Sequence, residues 1–307
     1  MPSAIFTRGL TRDYGSVRAV EPLDLEVAAG ECLGFLGPNG AGKTTVTRML
    51  TALIAPSSGS AVVLGHDLEA GARHIRRTVG VLTEQPGLYR RLSARENLRF
   101  YARLYGISSP EGRIDDYLKR LDLWAARDRP AATYSKGMAQ KVAIIRALLH
   151  EPKLVFLDEP TSGLDVESAL TVRDFMLTLK GEGRTVFLCT HNLDEAERVC
   201  DRVAVFRRRI LALGPADQLR LDLSGRQVAI RLEQEGQEPL AALSRLPFVR
   251  QARFAGGELV TTLDDPQAQT ADVVRVLVEC GARVQAVRAA TASLEEVYLK
   301  LVDGPSP

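Results

Sequence analysis

The chain has 307 residues and a formal net charge of only +2, so more than one domain is expected, and a large phosphate-neutralising face for nucleic acid is not. Its four cysteines, Cys32, Cys189, Cys200 and Cys280, form no CxxC pair and have no partnering histidines, which argues against a disulfide framework or a zinc site. The start, MPSAIFTRGL, lacks a signal-peptide apolar core, and runs such as VAIIRALL are too short or too interrupted to span a bilayer, so a cytoplasmic protein is expected.

Tyr14 precedes a strand expected in VRAVEPLDLEV. ECLGFLG, Glu31 to Gly37, then reads as a short buried strand, and KTTVTRMLTAL as a helix ending before Pro56. Between them lies GPNGAGKTT: Gly37, Pro38, Asn39, Gly40, Ala41, Gly42, Lys43, Thr44 and Thr45. Glycine is entropically costly, so this much of it implies that something must approach the backbone closely. Strand, glycine loop and helix is the context required for G-x-x-x-x-G-K-[ST], met by Gly37, Gly42, Lys43 and Thr44. Backbone N–H groups and the positive end of the helix dipole cradle a nucleotide's phosphates in such a loop. Lys43 would reach the β and γ phosphates and the Thr44 hydroxyl would ligate Mg²⁺.

Further along, LSARENLRFYARLYGISSPEGRIDDYLKRLDLW has helical spacing between Ser/Pro breaks, and KGMAQKVAIIRALLH reads as another helix. KLVFLDEP, Lys153 to Pro160, is an apolar strand ending in two carboxylates. Asp158 can hold Mg²⁺ opposite Thr44, and Glu159 can polarise a water for in-line attack on the γ-phosphate. Asp165 follows in SGLD, where a plain helix N-cap is one reading, and His191 follows the strand TVFLCT.

From Arg226 the pattern changes to a strand QVAIRLEQ, a helix EPLAALSRL, a hairpin VRQARFAGGELVTTL turned at Gly256 and Gly257, a helix AQTADVVRVLVECG and a strand RVQAVRA. A last helix is expected to be capped by Ser293 with Glu296 as its reciprocal partner. The order is βαββαβ, the ferredoxin-like split arrangement, and it carries no phosphate loop or nucleophile constellation.

Gly37 to Thr45, YSKGMAQK from Tyr134 to Lys141, LVFLDEPTSGLD from Leu154 to Asp165 and LCTHNLDEAE from Leu188 to Glu197 occur in the order and spacing of an ATP-binding cassette (ABC) subunit. The chain resembles that family, and within it the cassettes that drive drug, antibiotic or polysaccharide export through a separate membrane subunit. The resemblance implies a P-loop NTPase α/β cassette over residues 1–220, with a helical subdomain at about 87–150, and a C-terminal α+β ferredoxin-like accessory domain over 221–307. It also implies ATP and Mg²⁺ as ligands, a second copy of the cassette and an integral membrane permease as partners, no nucleic acid, and a place on the inner face of the membrane.

By the same resemblance Tyr14 stacks on adenine, while Ser135 and Gly137 open the signature helix facing an ATP held by a second copy. Asp165 crosses the dimer interface, and His191 contacts the γ-phosphate. The Mg²⁺-sensing glutamine falls at Glu84, with Gln85 one residue later; either can be the ligand. Tyr134, Lys136 and Met138 depart from the usual signature residues. The helical subdomain should receive the permease's coupling helix on a surface around Tyr89, Leu92, Leu98 and Tyr101. Two competing functions are a soluble ABC ATPase with a non-transport role and a weakly hydrolysing nucleotide-dependent regulator.

Overall fold

The computed structural model describes residues 3–224, 226–234, 236–289 and 294–303. The chain divides into two compact units, residues 1–216 and 217–307. The first runs β1 (Ser3–Tyr14), β2 (Val17–Ala28), β3 (Cys32–Leu36), α1 (Lys43–Leu50), β4 (Ser58–Val63), β5 (His66–Asp67), α2 (Ala72–Thr78), β6 (Val79–Leu82), α3 (Ala94–Leu104), α4 (Glu111–Arg120), α5 (Lys136–Leu148), β7 (Leu154–Asp158), α6 (Val166–Gly181), β8 (Thr185–Thr190), α7 (Leu193–Val199), β9 (Arg202–Arg207) and β10 (Arg209–Gly214).

β3, β7 and β8 are mostly apolar and buried at every residue, as strands covered on both faces must be. They lie in a sheet ordered β10-β9-β3-β8-β7-β6, parallel except for β10. Their carboxyl ends emerge at one edge, where ligands bind in open α/β sheets. A second sheet, β2-β1-β4-β5, is antiparallel, and the alternation of β2 turns Val20, Leu23, Leu25 and Val27 inward. Both sheets bury their apolar faces in one core, where Phe35 packs 4.5 Å from Phe206 and 5.1 Å from Phe187 between ring centres.

α1 stops at Leu50 rather than running to Pro56. Ala52 takes a left-handed φ of 54°, and the Thr51 hydroxyl donates to the Thr47 carbonyl at 2.8 Å, closing the helix early. α3 starts with a full capping box between Ser93 and Glu96. Just inside it, the fully buried Asn97 donates to the carbonyls of Tyr89, Leu92 and Ser93 and accepts from the Tyr89 N–H, so it holds the preceding loop. Leu98 is fully buried beneath α3 and cannot belong to a contact surface, which corrects the expected set. Exposed beside Tyr89 instead is Phe100, with ring centres 4.9 Å apart, and Leu104 is exposed one turn further along α3.

α8 (Ala216–Ser224) contains the division between the units. The second continues with β11 (Gln227–Leu232), α9 (Gln237–Leu243), β12 (Val249–Ala255), β13 (Glu258–Leu263), α10 (Pro266–Glu279), β14 (Val284–Ala289) and α11 (Leu294–Asp303). The antiparallel order β12-β13-β11-β14 is the ferredoxin-like one. Gly256 and Gly257, at φ 60° and 77°, make the hairpin turn that needs two left-handed residues. Val228, Ile230, Leu259, Leu263, Val273 and Leu277 form the core of this unit. Ser293, the expected cap of the last helix, lies outside the described residues. Among the described residues no helix is long and apolar enough to cross a membrane.

Candidate functional site

The buried strand β3 delivers the chain into the glycine loop, and the loop's shape is dictated by its neighbours. A Cβ on Gly37 would collide with the Phe206 carbonyl oxygen, and one on Gly42 would lie 2.6 Å from the Ala19 carbonyl oxygen. Gly42 also has φ 102°, so any side chain there is strained as well as crowded. Lys43, the first residue of α1, is 6% exposed, and its Nζ donates to the Gly37 carbonyl at 2.5 Å. A buried ammonium needs such partners. Its others are the Pro38 carbonyl at 3.4 Å and the Glu159 carboxylate at 3.5 Å.

Thr44, one residue on, donates its hydroxyl to Asp158 Oδ2 at 2.9 Å. Asp158 ends β7 and is 5% exposed; burial pushes its carboxyl up, the Thr44 hydrogen bond opposes this, and the charges of Glu159 and Glu84 add to it. Glu159 then turns off the strand with φ 50°, a left-handed conformation unusual for a residue with a side chain, and its N–H donates to the Cys189 carbonyl at 2.8 Å. That turn aims its second carboxylate oxygen at His191 Nδ1, 2.8 Å away. His191 leaves β8 half exposed, and the turn behind it is held by the Asn192 N–H donating to the Thr190 hydroxyl. Lys43, Thr44, Asp158, Glu159 and His191 are thus joined in one chain of contacts. Glu84 acts on that chain through its charge at Asp158, whereas Gln85 receives the Thr83 hydroxyl on its backbone carbonyl.

Ser135, Gly137 and Asp165 form a separate group. Ser135 caps α5, its hydroxyl accepting from the Met138 N–H, and Asp165 caps α6, accepting from the Ser168 N–H at 2.8 Å. The Ser168 hydrogen bond is the main cause holding the Asp165 carboxyl below its usual range. Gly137 sits where the two helix starts meet: a Cβ there would lie 2.5 Å from Ser168 Oγ. Tyr14, closing β1, is 44% exposed, with the Arg12 guanidinium carbon 4.7 Å from its ring centre.

The profile of the ABC transporter family matches residues 20–162. The chain is 36% identical to the daunorubicin resistance ATP-binding protein DrrA3 of Streptomyces coeruleorubidus, over 97% of this chain and 96% of that one. It belongs to the ABC transporter family. A Nod factor export ATP-binding protein I of Mesorhizobium japonicum is 35% identical, over 97% of this chain and 86% of its own. A dimeric bacterial ABC transporter cassette of known structure superposes with a TM-score of 0.63 at 25% identity, over 69% of this chain and 98% of that one. The first unit is therefore an ATP-binding cassette, and its activity is ATP hydrolysis.

Within the cassette, two features escaped the sequence reading. Tyr134 is a clamp: its hydroxyl donates to the Ala126 carbonyl at 2.8 Å and accepts from the Ala94 N–H at 3.1 Å, tying the loop to the start of α3. Glu195, one turn after His191, is wholly buried, and burial raises its carboxyl while the hydroxyls of Thr161 and Thr190 draw it back. Its signal in the sequence was an acid on the inward face of the short helix LDEAERV.

Proposed function

We propose that the chain is the ATP-hydrolysing subunit of an ABC exporter, in which two copies close around two ATP·Mg²⁺ and drive a separate integral membrane permease from the cytoplasmic face. The observation that carries the reading is the separation of the site into two groups. Lys43, Glu159 and His191 are linked by contacts, while the helix start at Ser135 and Gly137 belongs to a different group with Asp165 and Ser168, and a helix N-terminus suits a phosphate. A second copy supplies that missing wall. The export direction is supported by relatives named for drug resistance and Nod factor export.

In this mechanism the glycine loop's N–H groups hold the phosphates, and Lys43 exchanges the Gly37 carbonyl for phosphate oxygens. Glu159 accepts a proton from the attacking water as the new bond to the γ-phosphorus forms and the bond to the ADP oxygen breaks. His191, hydrogen-bonded to that carboxylate, orients it. Thr44 and the buried Asp158 are hard oxygen donors in contact with each other, a pair that fits Mg²⁺, and Glu84 or Gln85 would add a further oxygen. When bound, Mg²⁺ would neutralise phosphate charge there. The C-terminal unit is assigned a dimerising or regulatory role.

Tyr14→Ala should weaken ATP binding about tenfold through lost stacking, roughly 1.4 kcal/mol. Binding of inorganic tripolyphosphate, which has no base to stack, should be unchanged; equal losses for both ligands would refute the assignment. The dimer itself is tested by light scattering on Glu159→Gln, which keeps ATP intact. Mass doubling only with ATP·Mg²⁺ supports a site completed in trans. A monomer that still binds ATP contradicts it, and a dimer in both conditions moves dimerisation to the C-terminal unit.

A further inference from the structure

The turn between β9 and β10 is built from three successive arginines, Arg207, Arg208 and Arg209, with Arg207 and Arg209 opposite one another in the antiparallel register. β9 runs parallel to β3, with Val205 beside Leu36, so the turn emerges at the same edge of the sheet as the glycine loop. Two backbone hydrogen bonds fix it there. The Arg208 N–H donates to the Ala41 carbonyl within the loop at 2.9 Å, and the Arg208 carbonyl accepts from the Glu21 N–H of β2 at 2.8 Å. Phe206, just before the turn, supplies the carbonyl that forbids a side chain at Gly37, and its ring edge lies 3.4 Å from where a Gly42 Cβ would be. The arginine turn is therefore one wall of the phosphate loop.

Arg208 occupies that wall at a conformational cost. Its φ is 60°, a left-handed position that glycine fills without strain. Its side chain is exposed, and among the described residues no carboxylate pairs with its guanidinium. The backbone of Arg208 holds the turn against a loop shaped for phosphates, while its guanidinium, without a carboxylate partner among the described residues, is left for another anion. Strain of this kind clusters at functional sites, as at Glu159 in the same site.

We propose that Arg208 is a nucleotide-binding residue, its guanidinium attracting the negatively charged phosphates of a nucleoside di- or triphosphate held by Gly37 to Thr45. The inference rests on the reading of that loop as the ATP site. Partly solvated charges a few ångströms apart attract modestly, and salt screens them. A guanidinium offers paired donors that a phosphate can accept.

The test is equilibrium titration of the full chain with ATP and ADP at low and high ionic strength. Arg208→Gly and Arg208→Gln should each weaken binding roughly fivefold to tenfold at low salt, with the difference shrinking to under about twofold near 0.5 M salt. Arg208→Lys should keep most of the affinity. Arg208→Gly should also raise the Tm, because glycine suits the left-handed turn, so weaker binding in a more stable chain excludes simple misfolding. Wild-type affinity in Arg208→Gly at low salt overturns the proposal, as does an equal loss in Arg208→Lys, which keeps the charge. Lys43→Ala is measured alongside. If it loses ATP binding while Arg208→Gly does not, the Arg208 inference alone fails; if it too binds normally, the reading of the loop as the ATP site fails with it.

Discussion

Glu159→Gln should lower ATP hydrolysis by about 10²- to 10³-fold, the usual worth of a positioned general base, while ATP binding changes by no more than a few-fold. The carboxylate sits between Lys43 Nζ at 3.5 Å and His191 Nδ1 at 2.8 Å, on a backbone turned left-handed at the end of β7. A glutamine has the same shape and still meets the lysine through its carbonyl oxygen, so the loop and the lysine stay in place. What it cannot do is accept the water's proton. Phosphate release at saturating ATP reads the loss and titration reads the binding. Hydrolysis within tenfold of wild type would show that Glu159 does no more than anchor Lys43, and the base would have to be sought elsewhere. Binding lost together with hydrolysis would show that the ion pair with Lys43, not proton transfer, is the residue's contribution.

The parts of this site that were legible in the sequence are those whose chemistry is local. A glycine loop between an apolar strand and a helix, and a buried strand ending in Asp158 and Glu159, each carry their own context within a dozen residues. Tertiary contacts decided the rest. Resemblance alone places Leu98 on the partner surface, yet it shares the buried face of α3 with Ala94 and Ala102 at i,i+4 spacing, while Asn97 beside it holds the loop at Tyr89. The end of α1 depended on Ala52 entering a left-handed conformation that no propensity favours. Arg208 carries no local signal in the sequence, because its N–H meets Ala41, more than 160 residues earlier in the chain. Glu84 and Gln85 are not separated by counting along the loop, since both are oxygen donors one residue apart, and the charge of Glu84 near Asp158 bears on the carboxyl and not on which of the two a metal would take.

Gly137→Ala should stop hydrolysis by another route, with a loss on the order of 100-fold and ATP binding to the isolated chain unchanged. The added Cβ would lie 2.5 Å from Ser168 Oγ and 2.9 Å from Ser168 Cβ. The hydroxyl can rotate away, but Cβ is fixed to the first turn of α6, so the starts of α5 and α6 must separate. Overpacking of this kind costs about 1–3 kcal/mol in stability, and it displaces the Ser135 cap together with the N–H groups that a partner's nucleotide would meet. Lys43, Glu159 and His191 touch neither helix start in the contacts that bind them together, which is why binding should survive. The cause can be isolated by adding Ser168→Gly, which removes both clashing atoms and keeps the backbone N–H that Asp165 accepts. Glycine near the start of α6 has its own cost of about 1 kcal/mol, yet the double variant should recover at least about tenfold in hydrolysis over Gly137→Ala alone, a coupling of roughly 1.4 kcal/mol. Strictly additive effects would mean that the alanine acts through something other than Ser168. Full activity in Gly137→Ala would mean that the signature helix does not meet the nucleotide at all.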